Sequence, residues 1–549
     1  MRARCLFHLG SFLILLSTSV TASEMAPMEW GIDRPGSDYK SFITARNDPQ
    51  LCQDQCAVED RCVAWTFDLR ASRCWLKNVV PSATAHNETV SGIKIAYPVG
   101  VRLINMIPRA LSGEAWQDSE PFLGIDLANT RRMIGSAFTP NPNTGETGRA
   151  PIYLSNDDGE TWELRLIIPS DSITSDTTVA GSLRLSRLHS GILRRPGNLL
   201  MNILRTDDYA GSNLMDVRVS RSNVDQPFVQ ARRIGNSDRV YVGSNDFGLG
   251  ARSAALDVST DDGQTFRRVA IETRNTLGQN GPSIRPTVSS RDNTVYVAYF
   301  GWRSESGNLI TSDIVVVRDD NGATEANPFR DLVDPSDNQP GRFVVRNVTI
   351  PWSNAPTLGF ERIGSTLSIA TDPTNSDIVY VAWADRIGDG DIYSIHVRRS
   401  TDRGRTWSGD LRTIRNATPF ALAITGNGSV GLLYQQYVTT GGRPRWVTHL
   451  EQTRDAFVTQ TDTVLANVPG DAPPRQFLPY IGDYNFMVGI GQEFRGVFSA
   501  SNEPNQANFP RGVRYQRNVD FTNQRLLDGN GNPVAVSIDP FFFAVSAIQ

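Results

Sequence analysis

From residue 100 onward the chain contains no cysteine and no lysine, and its only histidines are His189, His396 and His449. A cysteine nucleophile, a lysine Schiff base and a histidine-rich metal centre are therefore poorly supported. Chemistry in this region has to come from Asp, Glu, Tyr and Arg. That set suits general acid and base work on a glycosidic bond, or proton abstraction from an acidic sugar. Tyr484 beside Asp483 offers a nucleophile or base, and Asp385 a further carboxylate. Arg285, Arg362, Arg386 and Arg303, with Trp302, are candidates to bind a substrate, because a guanidinium grips a carboxylate bidentately. Asp385 with Asp389 and Asp391 could also offer oxygen ligands to calcium, although their spacing matches no recognised calcium loop, and otherwise no cofactor or metal is expected.

The elements that must hold these residues are short strands. After residue 100 a unit recurs: an apolar strand, a polar loop, a second alternating strand and a tight turn. Copies begin at Arg131, Asn198, Arg239, Thr294, Ile378, Val430 and Phe494, about 40 to 85 residues apart. All-strand repeats of this size predict a mainly β, multi-bladed β-propeller of seven, alternatively six, blades. The apolar C-terminal PFFFAVSAI would suit a buried strand, which predicts closure by mixing strands from the two termini. His396 and His449 fall in the alternating strands. His189, in RLSRLHSGIL, falls in an expected inner strand and could face a central channel.

The turns share a pattern, S-x-D-x-G-x-T-W or F, at Ser155–Trp162, Ser259–Phe266 and Ser400–Trp407. Short Ser and Asp side chains can bond the backbone of their own turn, and Gly supplies a positive φ. The closing aromatic is expected to pack into the apolar layer. Degenerate versions are expected near Ser220–Phe228, Arg318–Gly322, Thr453–Phe457 and Asn518–Phe521. If the turns share one face, the loops before each of them and the approaches to the inner strands share the other. That face would carry the candidates above, with Asp207, Asp208, Tyr209, Asp246, Glu361 and Glu503.

The chain has 549 residues and a formal net charge of −4, which leaves no basic excess for nucleic acid. Lysine occurs only at Lys40, Lys77 and Lys94. Arg2 and Arg4, the apolar run Leu6–Leu16 and the small residues Val20-Thr21-Ala22 read as a secretory signal over residues 1–22. No stretch is long enough for a membrane span. A secreted protein, extracellular or periplasmic, is expected. Cys52, Cys56, Cys62 and Cys74 cluster within one short segment, which in an exported chain predicts a disulfide framework. Asp48 and Pro49 are suited to start a helix carrying Cys52 and Cys56 on one face.

The run from Cys52 to Lys77, with C-x-x-x-C, C-V-A-W-T-F and R-C-W-L-K, resembles the PAN/apple domain over residues 28–97. That resemblance implies a small α+β unit with disulfides Cys52–Cys74 and Cys56–Cys62 and a protein- or carbohydrate-binding role. The turn sequence resembles the Asp-box, or BNR, repeat of sialidases and other propellers. Residues 100–549 look like bacterial secreted sialidase-like proteins, especially in YIGDYNFMVGIGQEFRGVFSASNEPNQANFP and VAVSIDPFFFAV. Sialidases carry an Arg-Ile-Pro element ahead of the first box. Here Arg131-Arg132-Met133 stands in that region, and Ser283-Ile284-Arg285-Pro286 follows two boxes, so authentic sialidase activity is not expected. The resemblance implies action on extracellular, acidic glycans or glycoproteins as a glycosidase or polysaccharide lyase. The alternative is a non-catalytic glycan- or protein-binding protein.

Overall fold

A computed structural model describes residues 23–25, 28–59, 61–96, 100–138, 148–170, 176–182, 184, 186–194, 199–352, 366–386, 393–474 and 480–548. The expected signal segment, and Glu361, Arg362, Asp389 and Asp391, lie outside them. The chain is mainly β and divides into two compact units at Val99/Gly100. No helix among the described residues is long and apolar enough to cross a membrane.

In the smaller unit, helix Pro49–Val58 starts where Asp48 accepts a hydrogen bond from Gln50 N. It packs on a sheet whose strands Ala64–Asp68 and Arg73–Lys77 pair as a hairpin. The disulfides are Cys52–Cys74 and Cys56–Cys62, the pairs the resemblance implies. All four cysteines are fully buried with Trp65, Phe67 and Leu76.

Beside two small sheets, the larger unit contains seven main sheets among the described residues: six have four strands in antiparallel order, and the seventh adds Arg514–Tyr515, parallel to Val101–Asn105, as a fifth. Their first strands are Ser119–Ile125, Thr177–Gly181, Val224–Ile234, Arg285–Val288, Leu367–Thr371, Ala417–Ile424 and Phe486–Ile490, numbered here as sheets 1 to 7. Six of the seven apolar runs singled out in the sequence are the second strands of these sheets; the run beginning at Asn198 is instead the third strand of sheet 2, Leu200–Thr206. Each first strand touches the first strand of the next sheet, and that of sheet 7 touches that of sheet 1. Sheet 7 takes strands from both ends of the chain: Ile538–Ser546 lies between Glu493–Ser501 and Val101–Asn105. Phe541, Phe542 and Phe543 of PFFFAV are fully buried there.

The repeated turn joins the third and fourth strands of sheets 1, 3 and 5. In the first copy Ser155 Oγ accepts from Gly159 N at 2.9 Å, and Asp157 Oδ1 accepts from Thr161 N at 2.9 Å. Gly159 has φ +82°, and a Cβ there would come within 2.2 Å of the Phe542 ring. The degenerate copy in sheet 6 keeps the same bonds, with Thr453 in place of Ser and Phe457, at φ 65°, in place of Gly. Near Arg318, Asp319 caps a longer excursion through Asn321, Ala323 and Phe329 N. Two expected copies are not such turns. Ser220–Phe228 runs from the last strand of sheet 2 into the first of sheet 3, and Asn518–Phe521 enters a separate three-stranded sheet.

The position between Asp and Gly, free to vary in the pattern, also has positive φ, at Asp158, Asp262 and Arg403. Its side chain crosses to the preceding sheet: Asp158 to Arg495 at 2.8 Å, Asp262 to Arg187 at 2.9 Å, and Arg403 to Asp292 at 2.6 Å. The turn is thus a staple between sheets as well as a hairpin end. The closing aromatics differ. Trp162 is buried against Phe542, whereas Phe266 and Trp407 are only half-buried at the edges of their clusters. Trp162→Ala is therefore expected to cost about 3 kcal/mol and Trp407→Ala clearly less; equal shifts of the two denaturation midpoints would contradict this.

Candidate functional site

Three first strands begin alike: Glu120-Pro121-Phe122, Gln226-Pro227-Phe228 and Thr418-Pro419-Phe420. Proline lacks the N–H needed for the ladder, and each strand slips register across this tripeptide, between Ser119 and Phe122, Asp225 and Phe228, and Ala417 and Phe420. Glu120 and Gln226 sit in left-handed backbone, at φ 55° and 49°, which is costly for a residue with a side chain. The slip turns both side chains out of the pleat at corresponding places in sheets 1 and 3.

They join residues from three more sheets. Arg285 Nη2 donates to Gln226 Oε1 at 2.8 Å and to Ser283 Oγ at 3.2 Å. Its guanidinium lies 4.2 Å from the Phe228 ring centre and 5.5 Å from that of Tyr484. The Tyr484 hydroxyl donates to Asp176 Oδ1 at 3.3 Å, and Asp483 N donates to Glu120 Oε1 at 3.3 Å. Gly482, at φ +108°, permits that approach: a Cβ there would lie 2.5 Å from Glu120 N. Phe122, Phe228 and Phe486 pack together beneath, with Phe122 and Phe486 stacked at 3.8 Å.

Each polar member, Glu120, Asp176, Gln226, Arg285, Asp483 and Tyr484, is at most 6% exposed. Burial pulls the Arg285 guanidinium down to about 10, against the opposing fields of Tyr484, Asp176, Asp483 and Glu120. Burial, then Asp176 and Glu120, hold the Tyr484 phenol well above its ordinary range, so it is neutral at physiological pH. Arg285 and Tyr484 also line one end of a channel of about 370 Å³ between the first strands of sheets 3 to 7. The arrangement supplies carboxylates, a phenol and a guanidinium within one low-dielectric space, which is what proton transfer and charge stabilisation require.

Of the residues picked from the sequence, the structure gathers Arg285, Asp483 and Tyr484. Arg362 lies outside the described residues. Asp385 is placed elsewhere, at the end of strand Val379–Arg386, where its carboxylate meets His396 Nε2 at 2.9 Å and accepts from Trp383 Nε1 at 3.0 Å. Burial lowers the His396 basicity, but Asp385 and Asp410 on its two ring nitrogens more than offset this and raise it. Arg386 ends the same strand. Trp302 packs edge-on against Trp352, and Arg303 pairs with Asp313 at 2.8 Å and Glu272 at 3.4 Å. Among the wider set, Asp207 holds Arg187 and Arg205, Tyr209 donates to Asp126, Asp246 holds Arg268, and Glu503 accepts from Asn508. His189 lies in a second strand rather than an inner one, buried against Asp238.

Glu120, Asp176 and Gln226 escaped the sequence reading. The recurring E-P-F, Q-P-F and T-P-F at strand starts is the signal that could have found the first and third. For cations, the described residues bring one carboxylate trio together, Glu114, Asp118 and Asp539. Arg517 already meets two of its members, Glu114 at 3.0 Å and Asp539 at 2.9 Å, so a guanidinium supplies the positive charge.

A family model described as PAN domain matches residues 32–77. No curated protein matches the sequence. Similar solved structures include glycoside hydrolases, a polysaccharide lyase and a lectin. The PL25 ulvan lyase bound to -[GlcA(1-4)Rha3S]- is 11% identical over 70% of this chain and 92% of its own, with a TM-score of 0.46. The GH74 enzyme of Niastella koreensis is 14% identical over 71% of this chain, at a TM-score of 0.34, and the match spans only 63% of that enzyme. A mutant of the Aleuria aurantia lectin AAL, in complex with Fucα1-6GlcNAc, is 12% identical over 66% of this chain and 99% of its own, at 0.35.

Proposed function

We propose that this is a secreted protein that cleaves extracellular, acidic glycans, by hydrolysis or β-elimination, at the cluster where the first strands begin. The seven sheets are read as the blades of one propeller, closed by the mixed strands of sheet 7, with the PAN unit as a binding accessory. One observation carries the reading: the starts of five first strands bring Glu120, Asp176, Gln226, Arg285 and Tyr484 into hydrogen-bond and ring contact. Residues from five sheets meet only on an axis. Neither a polar loop's composition nor a stability requirement explains a buried phenol, several carboxylates and a guanidinium there, since apolar packing would be cheaper. In this reading a carboxylate takes or gives the proton, Tyr484 serves as acid or nucleophile, and Arg285 contributes a guanidinium to hold a substrate carboxylate.

The purified protein should release reducing ends or unsaturated uronates from at least one member of a panel of acidic and neutral polysaccharides. Saturable binding with no product would move the chain to the glycan-binding alternative. Neither binding nor product across the panel would reject the reading.

A further inference from the structure

The channel has a second end, and its chemistry differs from the first. Along strand Val224–Ile234, Phe228, Gln230 and Arg232 line the channel while the residues between them do not, so alternate side chains face it. Phe228 lies under Arg285; Arg232 is four residues further, about 13 Å along the strand. Beside Arg232 the lining passes to Ser290, Pro373, Gly426 and Gly491, which follow the first strands of sheets 4 to 7. First and third strands run the same way, so this is the end that bears the S-x-D-x-G-x-T turns.

Arg232 is half-buried there, and the partner of its Nη2 is the Ser290 carbonyl at 3.0 Å. No carboxylate of the described residues is within ion-pair distance of it. Burial alone lowers its basicity, with no opposing field from an acidic neighbour. Arg187, Arg268, Arg303 and Arg403, by comparison, each hold at least one carboxylate, whereas Arg445 resembles Arg232 in having amide and carbonyl partners. A guanidinium has five N–H donors, and a carbonyl bond to one nitrogen leaves a fork free for an oxyanion. Ser290, Thr371, Gly426 and Gly491 line this end together with the apolar Val288, Ile424 and Ile490, and the channel volume of about 370 Å³ is of ligand-site size.

We propose that the turn-bearing end of the channel is a second ligand site, which takes a small oxyanion, a carboxylate or sulfate group, on Arg232. The anion gives the half-buried guanidinium the counter-charge that the described residues do not. Sulfated sugars, sugar acids and free inorganic anions share this chemistry. The site is separate from the cluster at the strand starts and stands whether or not that cluster cleaves glycans.

Calorimetric titration of the full chain at low ionic strength with sodium sulfate, and separately with sodium glucuronate, tests it. Saturable binding of at least one salt is expected. Response to sulfate alone would identify an inorganic or sulfate-ester site, and response to glucuronate alone a sugar-acid site. Arg232→Gln should weaken binding tenfold or more. Arg232→Lys, which keeps the charge and loses the fork, should weaken it by a smaller factor of about three. Arg252→Gln, an exposed arginine outside the channel, should leave it unchanged. Thermal unfolding of each variant establishes that it is folded. Absence of saturable binding to the wild type, or binding by folded Arg232→Gln and Arg232→Lys equal to the wild type, overturns the proposal.

Discussion

Arg517→Met is expected to destabilise the larger unit by about 5 kcal/mol, because it leaves the buried Asp539 carboxylate without its cation and the Glu114 carboxyl without its donor. Arg517 is fully buried. Besides Glu114 and Asp539 it donates to the Ser112 and Glu114 carbonyls, at 3.0 Å and 2.6 Å. Asp539 belongs to the C-terminal strand, and Glu114 follows the first strand of the larger unit closely in sequence. The guanidinium therefore fastens together the two chain ends that build sheet 7. Its loss should appear as a lower midpoint in chemical denaturation. A midpoint within error of the wild type would show that the joint does not depend on it.

The same joint should make stability fall as pH rises. Burial, then Asp539, push the Glu114 carboxyl up to about 8 from its ordinary 4.5, with Arg517 opposing. A carboxyl whose folded pKa is raised binds a proton in the folded state that the unfolded chain has released. Its contribution is complete below about 4.5 and is lost as pH passes through about 8. Glu114→Gln, still able to accept from Arg517, should flatten the slope across that window. An unchanged slope would assign it to another group.

How far the sequence discloses this molecule depends on the range of the forces involved. Strand and turn follow from local chemistry, whereas the disulfide pairing comes from the PAN/apple resemblance. The seven apolar runs are strands, six of them second strands, because alternation and bounding Gly, Asn and Asp are read within ten residues. The turns at Ser155, Ser259 and Ser400 can be read because Ser, Asp and Gly act on their own backbone. Loss of Gly at Phe457 is tolerated by the same bonds, which is why the degenerate copy is only faintly visible. The candidate site is non-local. Arg285, Asp483 and Tyr484 were accessible because they are polar residues at or just before the first strand of a sheet, where strand starts meet. Asp385, Trp302 and Arg303 have equally polar surroundings in sequence, yet each is absorbed by a partner within its sheet or beside it. Asp176 has no distinguishing neighbour in sequence, and only the meeting of the starts of the first strands of sheets 2 and 7 brings it to Tyr484.

If the cluster at the strand starts cleaves glycans, Tyr484→Phe and Asp176→Asn should each lower kcat on the responsive glycan by about 10²- to 10⁴-fold. The Tyr484 phenol is neutral, held up by burial and by Asp176, so it cannot attack or give up its proton unaided. Asp176 Oδ1, 3.3 Å from that hydroxyl, is the acceptor in place, and amide replacement keeps the shape while removing the base. Phenylalanine likewise keeps the ring over Arg285 and against Phe122, so the hydrophobic packing and the fold should survive. Because the two residues act on one proton, the double variant should be little worse than either single one. Multiplicative losses would mean that they serve different steps. A comparable loss from Asp385→Asn, with Tyr484→Phe active, would move the chemistry away from the axis to the His396 side of sheet 5.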